Sequence, residues 1–535
     1  MQSIVRFPHT PGPSGLPRRS MLSILSVCAA GAGLAACSKN PLRSTADSTA
    51  DPAGSAESPT VSAPPVPTAD ATGAVALESA LDGVAATFRV GPATVQDGYT
   101  IVRVEVSTDS DTELTLSSAF SGPSSPFSMR GMLLLSLRQS LVFPELGDRT
   151  DGMRDPISRL SSVELFPVFD AVDDGVQTVE LFLPSVGVAV GVPVVGPEDA
   201  GFQVGEMLSV AKIDREANPG PYRLSSLVTA TDGSYDTEAD RESTTVTVSG
   251  DVTFGSDSKE LSAQADEVLA EVVEQLTRYP SGGKLSVTGH TDDVDEEDYN
   301  QTLSEQRAQA VADRLARLTD LSRWETTIAG KGESKPRAQG TSDDARAANR
   351  RVEVVLKPKN PAEATALSTP ASPQTSPPRA ASGQMPRSVG PVGSGADGVD
   401  VRINDQTVHL SMESVTRVGD YVTGSLLLST QEDVHITVSL FALPNELQIL
   451  HWPTSSSAVH NPTLLAGDTR YLAANYLNAE GDYVPVTNRT VRDIVRGEAQ
   501  RLPVVWPYPG TDTVALDLPG KNLAARLTDI PVSQA

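Results

Sequence analysis

Three short blocks between residues 289 and 354 decide the fold of the central part of the chain. The first is Gly289-His290-Thr291-Asp292, the second is Leu303-Ser304-Glu305-Gln306-Arg307-Ala308, preceded by Asn300, and the third is Asn349-Arg350-Arg351-Val352-Glu353-Val354. The pattern predicts that Asp292 lies on the loop after a strand and that Arg307 lies in the first turns of a helix. If the loop folds back, the two side chains can flank one small zwitterion. Asp292 would then bind an ammonium group and Arg307 a carboxylate.

The three blocks resemble the OmpA-like peptidoglycan-binding domain, which carries G-H-T-D after a strand, then N-x-x-L-S-x-x-R-A, then N-R-R-V-E. The resemblance extends over roughly residues 245 to 358. It implies that Asp292 and Arg307 hold the diaminopimelate centre of a peptidoglycan stem peptide. It also implies that further pocket residues are Thr291, Asn300, Leu303, Asn349 and Arg350. The alternative interpretation is an internal salt bridge between Asp292 and Arg307 that fixes the loop to the helix.

The loop from Asp292 to Asp298 departs from the family, which often carries glycine at the position of Asp295. It lacks the glycine and the closing glutamate of an EF-hand, so we interpret it as a solvated acidic loop and expect no metal site. His290 beside Asp292 has no nucleophile or third orienting group in a recognisable motif. We therefore predict no catalytic site and no cofactor.

Composition limits the function classes further. The 535 residues include 42 Lys+Arg and 68 Asp+Glu, a formal net charge of −26. A surface this acidic repels nucleic acid, which is a poor candidate partner. The only two cysteines, Cys28 and Cys37, lie near the N-terminus and exclude a disulfide framework elsewhere.

The N-terminus predicts export. Residues 1–37 read as a signal peptide, and Leu34-Ala35-Ala36-Cys37 resembles a bacterial lipobox in which Cys37 is lipidated. An ordinary signal with an incidental cysteine is the alternative. The pair Arg18-Arg19 leaves both Sec and twin-arginine export open. We expect a cell-envelope protein anchored by lipid to one of the membranes.

The rest of the chain is predicted to be multidomain. We predict an α/β sandwich at 243–358, flanked by immunoglobulin-like β-sandwiches at 80–200 and 398–535. Disordered linkers are predicted at 38–79 and 359–397, and a connector with one hairpin at 201–242. The second β region is interpreted as a repeat of the first, because the run from Thr513 to Pro519 matches that from Thr178 to Pro184.

Within residues 243–358, the pattern predicts entry strands at 245–248 and 252–254 and a helix from about 303 to 318 whose start is a Thr302–Glu305 capping box. The apolar face of that helix is predicted to carry Val311, Leu315 and Leu318.

These features together predict a non-enzymatic lipoprotein that tethers a membrane to the cell wall through peptidoglycan. The β regions are predicted to be spacers or to bind envelope proteins. An envelope enzyme that uses the central domain for targeting is the alternative function.

Overall fold

The computed structural model describes residues 65–361 and 383–535, except 115, 117–119, 121–130, 148–156, 158, 160–161, 217–219, 256–257, 445–446, 448–457 and 488–490. These residues are mostly β-strand with few helices. The predicted signal peptide, Cys37 and most of both predicted linkers lie outside the described residues.

The first β region is built from hairpins whose turns are set by short polar sequences. Its elements are β1 (Val75–Leu81), β2 (Val84–Gln96), β3 (Tyr99–Ser107), β4 (Leu133–Ser136), β5 (Leu141–Pro144), β6 (Val163–Leu165), β7 (Val168–Asp170), β8 (Thr178–Leu183), β9 (Gly187–Val195) and helix α1 (Val204–Val210). Asp82-Gly83 and Asp97-Gly98 join β1 to β2 and β2 to β3, and all four residues have positive φ, as two-residue hairpin turns require. The region begins at Val75, inside the segment predicted as a linker.

The central region places helices against a mixed sheet. Its elements are β10 (Tyr222–Ala230), β11 (Tyr235–Ala239), β12 (Thr244–Ser249), α2 (Gly250–Thr253), α3 (Ala265–Thr277), β13 (Gly283–Gly289), α4 (Glu297–Leu318), β14 (Trp324–Gly330), α5 (Asp343–Asn349) and β15 (Arg351–Pro358). The strands pair in the order β10-β11-β12-β15-β13-β14, and only β13 and β14 are parallel. The core lies between this sheet and α3 and α4, with Val287, Val354, Leu269 and Val311 fully buried.

Three local predictions in this region were wrong. Residues 252–254 form no strand, because α2 extends to Thr253. Helix α4 begins at Glu297, and the Thr302 hydroxyl donates to the Asp298 carbonyl instead of capping a helix start. Acidic residues in the first turn of α4 interact favourably with the helix dipole, so the end of the predicted acidic loop is helical. Leu318 is 37% exposed and lies outside the core.

The second β region has its own buried core around Trp506 and Phe441. Its strands are β16 (Val392–Ser394), β17 (Val399–Ile403), β18 (Gln406–Ser411), β19 (Val415–Val418), β20 (Tyr421–Thr430), β21 (Thr463–Ala466), β22 (Thr469–Tyr471), β23 (Asn475–Leu477), β24 (Tyr483–Pro485), β25 (Ala499–Pro507), β26 (Thr513–Pro519) and β27 (Ala524–Gln534). Strand β16 pairs with β27 although it lies in the second predicted linker.

The two β regions share a pairing scheme. In the first, the hairpin β1–β2 is followed by β3, and the end of β2 pairs in parallel with β9. In the second, β17–β18 is followed by β20, and β19 pairs in parallel with β27. In the first region, β8 of the hairpin β8–β9 pairs with β4. In the second, β26 of the hairpin β26–β27 pairs with β21 in the same way. The repeat and the immunoglobulin-like assignment both stay predictions.

Strand β10 connects all three regions. Its start pairs with β5, its middle with β23, and its end with β22, while β11 lies along its other side. The segment predicted as a connector does contain a hairpin, β10–β11. That hairpin also extends the central sheet and joins it to both β regions.

Candidate functional site

The loop after β13 is held by main-chain hydrogen bonds on both sides. The His290 amide donates to the Arg351 carbonyl over 2.9 Å, and the Thr291 amide donates to the Gly332 carbonyl over 3.0 Å. Gly289 precedes the loop at a point where a Cβ atom would lie 2.1 Å from the Ser304 carbonyl oxygen of α4. Only glycine allows this approach, which explains the first residue of the Gly-His-Thr-Asp block.

Asp292 forms its ion pair with Arg350 at the start of β15. The Arg350 guanidinium donates to Asp292 Oδ2 over 2.6 Å, and the two side chains are 30% and 12% exposed respectively. Arg350 also forks Asp251 with two bonds of 2.6 Å. The Asp251 hydrogen bonds, supported by Asp292, raise the pKa of Arg350 further above its usual value. The structure therefore pairs Asp292 with Arg350, which the resemblance had implied only as a pocket residue. Among the contacts of the described residues, the alternative Asp292–Arg307 bridge does not form.

Arg307 lies near the middle of α4 and is only 5% exposed. Its Nε donates to the Ser258 carbonyl over 2.9 Å, and its guanidinium carbon lies 5.1 Å from the centroid of the Phe254 ring. The segment between α2 and α3 thus orients this arginine. A guanidinium held in one orientation can form a planar, two-pronged interaction with a carboxylate at little further entropic cost.

Asn300 is 1% exposed and fixes the acidic loop to α4. Its side-chain amide donates to the carbonyls of Asp295 and Asp292 over 3.0 and 3.3 Å and to Glu333 over 2.8 Å. These contacts give Asn300 a positioning role for the Asp292 loop.

Thr291 and Leu303 are also buried, on the loop and on α4 respectively. The Thr291 hydroxyl has no hydrogen-bond partner among the residues that the structure describes. A buried polar group left this way is uncommon in folded proteins, and it lies next to Asp292 in the chain.

Asn349 lies at the end of α5 and holds the segment that follows β14. Its side-chain oxygen accepts from the amides of Arg337 and Ala338 over 2.7 and 2.9 Å, and its Nδ2 donates to the Ala338 carbonyl. These three bonds use the polar atoms of the Asn349 side chain within the protein. The binding roles predicted for this residue and for the other motif residues stay predictions.

His290 faces Glu353, not a nucleophile. Its Nε2 lies 3.6 Å from Glu353 Oε2, and Arg351 Nε donates to the same carboxyl group over 2.8 Å. Burial opposes ionisation of Glu353, but His290 and Arg351 outweigh it and hold its pKa at about 2. The His290 ring therefore lies beside a half-buried carboxylate that Arg351 also contacts.

Sequence reasoning missed the ion pair between Arg337 and Asp236. Two bonds of 2.7 and 2.8 Å join the loop before α5 to β11, and both side chains are largely buried. The signal in the sequence was weak, since Asp236 lies in the segment interpreted as a connector.

Residues 253–350 match the OmpA family, and this part of the chain is an OmpA-family domain. Relatives include outer membrane porin F of Pseudomonas aeruginosa, 37% identical over 112 residues, which are 21% of this chain and 32% of the porin. The probable lipoprotein YiaD of Escherichia coli is 38% identical over 108 residues, 20% of this chain and 48% of YiaD. The peptidoglycan-binding protein ArfA of Mycobacterium tuberculosis is 35% identical over 107 residues, 20% of this chain and 32% of ArfA.

Each of these three relatives matches 20–21% of this chain, and the chain spans less than half the length of each of them. Among solved structures, the cell wall anchor of the T6SS from Pseudomonas aeruginosa is 31% identical. The superposed part covers 24% of this chain and 89% of the cell wall anchor, with a TM-score of 0.21. Within the described ranges, no helix has the length and apolar character needed to cross a bilayer. Those ranges also contain no cluster of His, Cys, Asp and Glu arranged to hold a metal ion.

Proposed function

We propose that this protein is a cell-envelope lipoprotein that binds the diaminopimelate of peptidoglycan stem peptides through Asp292 and Arg307 and tethers a membrane to the cell wall. The observation that carries the proposal is the OmpA-family domain with its three motif blocks in register. The peptidoglycan-binding relative, 35% identical over 107 residues, adds support.

The contacts of Asp292 are compatible with this role. Arg350 uses only Oδ2 of Asp292, and a carboxylate accepts hydrogen bonds at both oxygens. An ammonium group can therefore bind Asp292 while Arg350 keeps its two bonds to Asp251. Each partly buried charged hydrogen bond contributes roughly 1.5–3 kcal/mol, so an Asp292 and Arg307 site binds with modest affinity.

A modest site is sufficient for a tether. Lipidation at Cys37 would hold the domain near its target, and confinement raises the effective concentration of the second binding event. The β regions act in this proposal as non-catalytic spacers or as docking sites for envelope proteins.

Retention on purified sacculi tests the wall-binding step. We expect Asp292→Ala and Arg307→Ala to abolish retention. One matched control is Asp293→Ala, which removes an exposed ion pair with Arg346. The other is Arg314→Ala; Arg314 lies on the same helix as Arg307 and forms an exposed ion pair with Asp266 of α3. Both controls should keep retention.

Because Arg307 is buried, Arg307→Lys serves as a second variant that keeps the charge but loses the planar fork. Retention lost in a folded Arg307→Lys protein supports the site, and retention unchanged in both Asp292→Ala and Arg307→Lys overturns it. Sacculi with lysine in place of diaminopimelate lack the carboxylate that Arg307 would bind, so we expect weaker retention on them.

Two further tests address anchoring and catalysis. We expect a Cys37→Ala variant to appear in the soluble fraction or to keep its signal, and full membrane partition after a salt wash would place the anchor elsewhere. We also expect the purified protein to release no fragments from sacculi. Release that depends on residues 80–240 or 398–535 would instead establish the envelope-enzyme alternative.

A further inference from the structure

A cavity of about 530 Å³ lies where the three regions meet. One wall is α3 of the OmpA-family domain, and the others come from β10 and β11, from the turn after β4, and from β20, β22 and the end of β25. Its volume is in the range of pockets that hold small organic molecules. It lies apart from the motif blocks, none of whose residues line it.

The α3 wall carries two half-buried carboxyl groups, Glu271 and Glu274. Glu271 accepts a hydrogen bond from Gln275 over 2.9 Å and one from Thr237 over 3.4 Å. Desolvation raises the pKa of both carboxyl groups above the usual value for glutamate, and the charge of Arg278 offsets only part of this rise. A cation in the cavity would restore the interactions that these carboxylates lose on leaving water.

The lining as a whole is acidic. It contains five carboxyl groups and three guanidinium groups. Two of the three guanidinium groups, those of Arg138 and Arg241, belong to exposed side chains at the rim. The third, Arg278, lies 3.9 Å from Asp420 across the cavity and donates to Gln275 over 3.2 Å. The interior therefore favours a positively charged occupant.

Tyrosines supply the remaining walls: Tyr235, Tyr279, Tyr421, Tyr471 and Tyr508. The faces of aromatic rings attract cations through their quadrupole. Tyr508 is 2% exposed, and its hydroxyl has no hydrogen-bond partner among the described residues. A buried hydroxyl without a partner is costly, so a polar ligand group that reached it would gain a hydrogen bond. The Tyr508 ring itself already lies against the Arg417 guanidinium, at 3.9 Å.

We propose that this junction cavity binds a small organic amine, whose ammonium group lies between Glu271 and Glu274 and the tyrosine rings. A ligand seated there contacts the OmpA-family domain and both β regions at once. The ammonium group can come from a free diamine or from a lysine-type side chain on a short peptide, and both present the same chemistry to the carboxylates.

Calorimetric titration of the full chain at pH 7 tests the proposal with three probes: cadaverine as a free diamine, N-acetyl-lysine amide as a peptide amine, and 1,5-pentanediol as the uncharged match for cadaverine. We expect at least one amine to bind and pentanediol not to bind. The double variant Glu271→Gln/Glu274→Gln should weaken amine binding by about tenfold or more. Tyr508→Phe, which keeps the ring, should cause a smaller loss.

Glu267→Gln is the matched control, because Glu267 is an exposed glutamate on α3 that does not line the cavity. Asp292→Asn should leave amine binding intact, and the double glutamine variant should keep sacculus retention, which separates this site from the wall-binding site. The proposal would be overturned if neither amine bound, if pentanediol bound as well as the amines, or if the double variant kept its affinity for the amine.

Discussion

Replacing Asn300 with alanine tests whether this buried amide positions the Asp292 loop. The side chain spans from α4 to the loop and donates to Asp295, Asp292 and Glu333. The resemblance implied that Asn300 lines the ligand pocket. The structure shows its amide occupied by protein acceptors, so its removal should act first on the loop and only through the loop on binding.

The magnitude follows from the three bonds. The bond to the Glu333 carboxylate is charged and contributes roughly 1.5–3 kcal/mol, and the bond to the Asp295 carbonyl contributes about 0.5–1.5 kcal/mol. The bond to Asp292 is longer, at 3.3 Å, and adds little. Glu333 is half-buried and regains water when the amide is lost, which offsets part of the cost. We expect Asn300→Ala to lower the free energy of unfolding by about 2–3 kcal/mol.

Urea unfolding and sacculus retention, measured on the same variant, distinguish a positioning role of Asn300 from direct contact with the ligand. Gln309→Ala is the control, since Gln309 lies on α4 and bonds only to exposed Asp313 in the contacts the structure describes. Its unfolding free energy should change by less than about 0.5 kcal/mol. We expect Asn300→Ala to lose stability and to weaken retention together. Lost retention at wild-type stability would refute the positioning role and show that Asn300 contacts the ligand directly.

Three further outcomes follow from buried groups. Burial raises the pKa of Glu180 to about 7. The stability linked to the protonated group is therefore complete below the ordinary pKa of glutamate and is lost as pH rises through 7. In urea unfolding between pH 4 and pH 8, Glu180→Gln should remove about 3 kcal/mol of this pH dependence. Arg337→Ala leaves Asp236 buried without this partner and should cost about 3–5 kcal/mol, whereas Arg337→Met with Asp236→Leu should cost much less by thermal unfolding. Gly289→Ala forces a Cβ against the Ser304 carbonyl and should lower unfolding free energy by about 1–3 kcal/mol or more.

The sequence predicted the parts of the OmpA-family domain that depend on local pattern. Leu285 and Val287 alternate on β13, and Val268, Leu269 and Val272 repeat on α3 at helical spacing. All five are buried in the core, because periodicity reports directly which face of an element packs inward.

What the sequence did not reveal depends on contacts between distant residues. Arg350 and Asp292 are 58 positions apart, and the nearer Arg307 offered the same chemistry for a pair. The capping box at Thr302 was locally plausible, but an earlier start of α4 prevailed because Glu297 and Asp298 suit the first turn. Strand β10 was missed as a junction because its pairings with β5, β22 and β23 are with strands remote in the sequence.

The position of β10 determines how mechanical force would pass through the three regions. In a string of separate domains, tension passes through each one in series, and the weakest unfolds first. Here the hairpin β10–β11 belongs to the central sheet while β10 is also bonded to β5, β22 and β23. A force applied at the OmpA-family domain would therefore divide between the two β regions, as between springs in parallel. Stretching with optical tweezers should then give one large cooperative rupture, not a sawtooth of three.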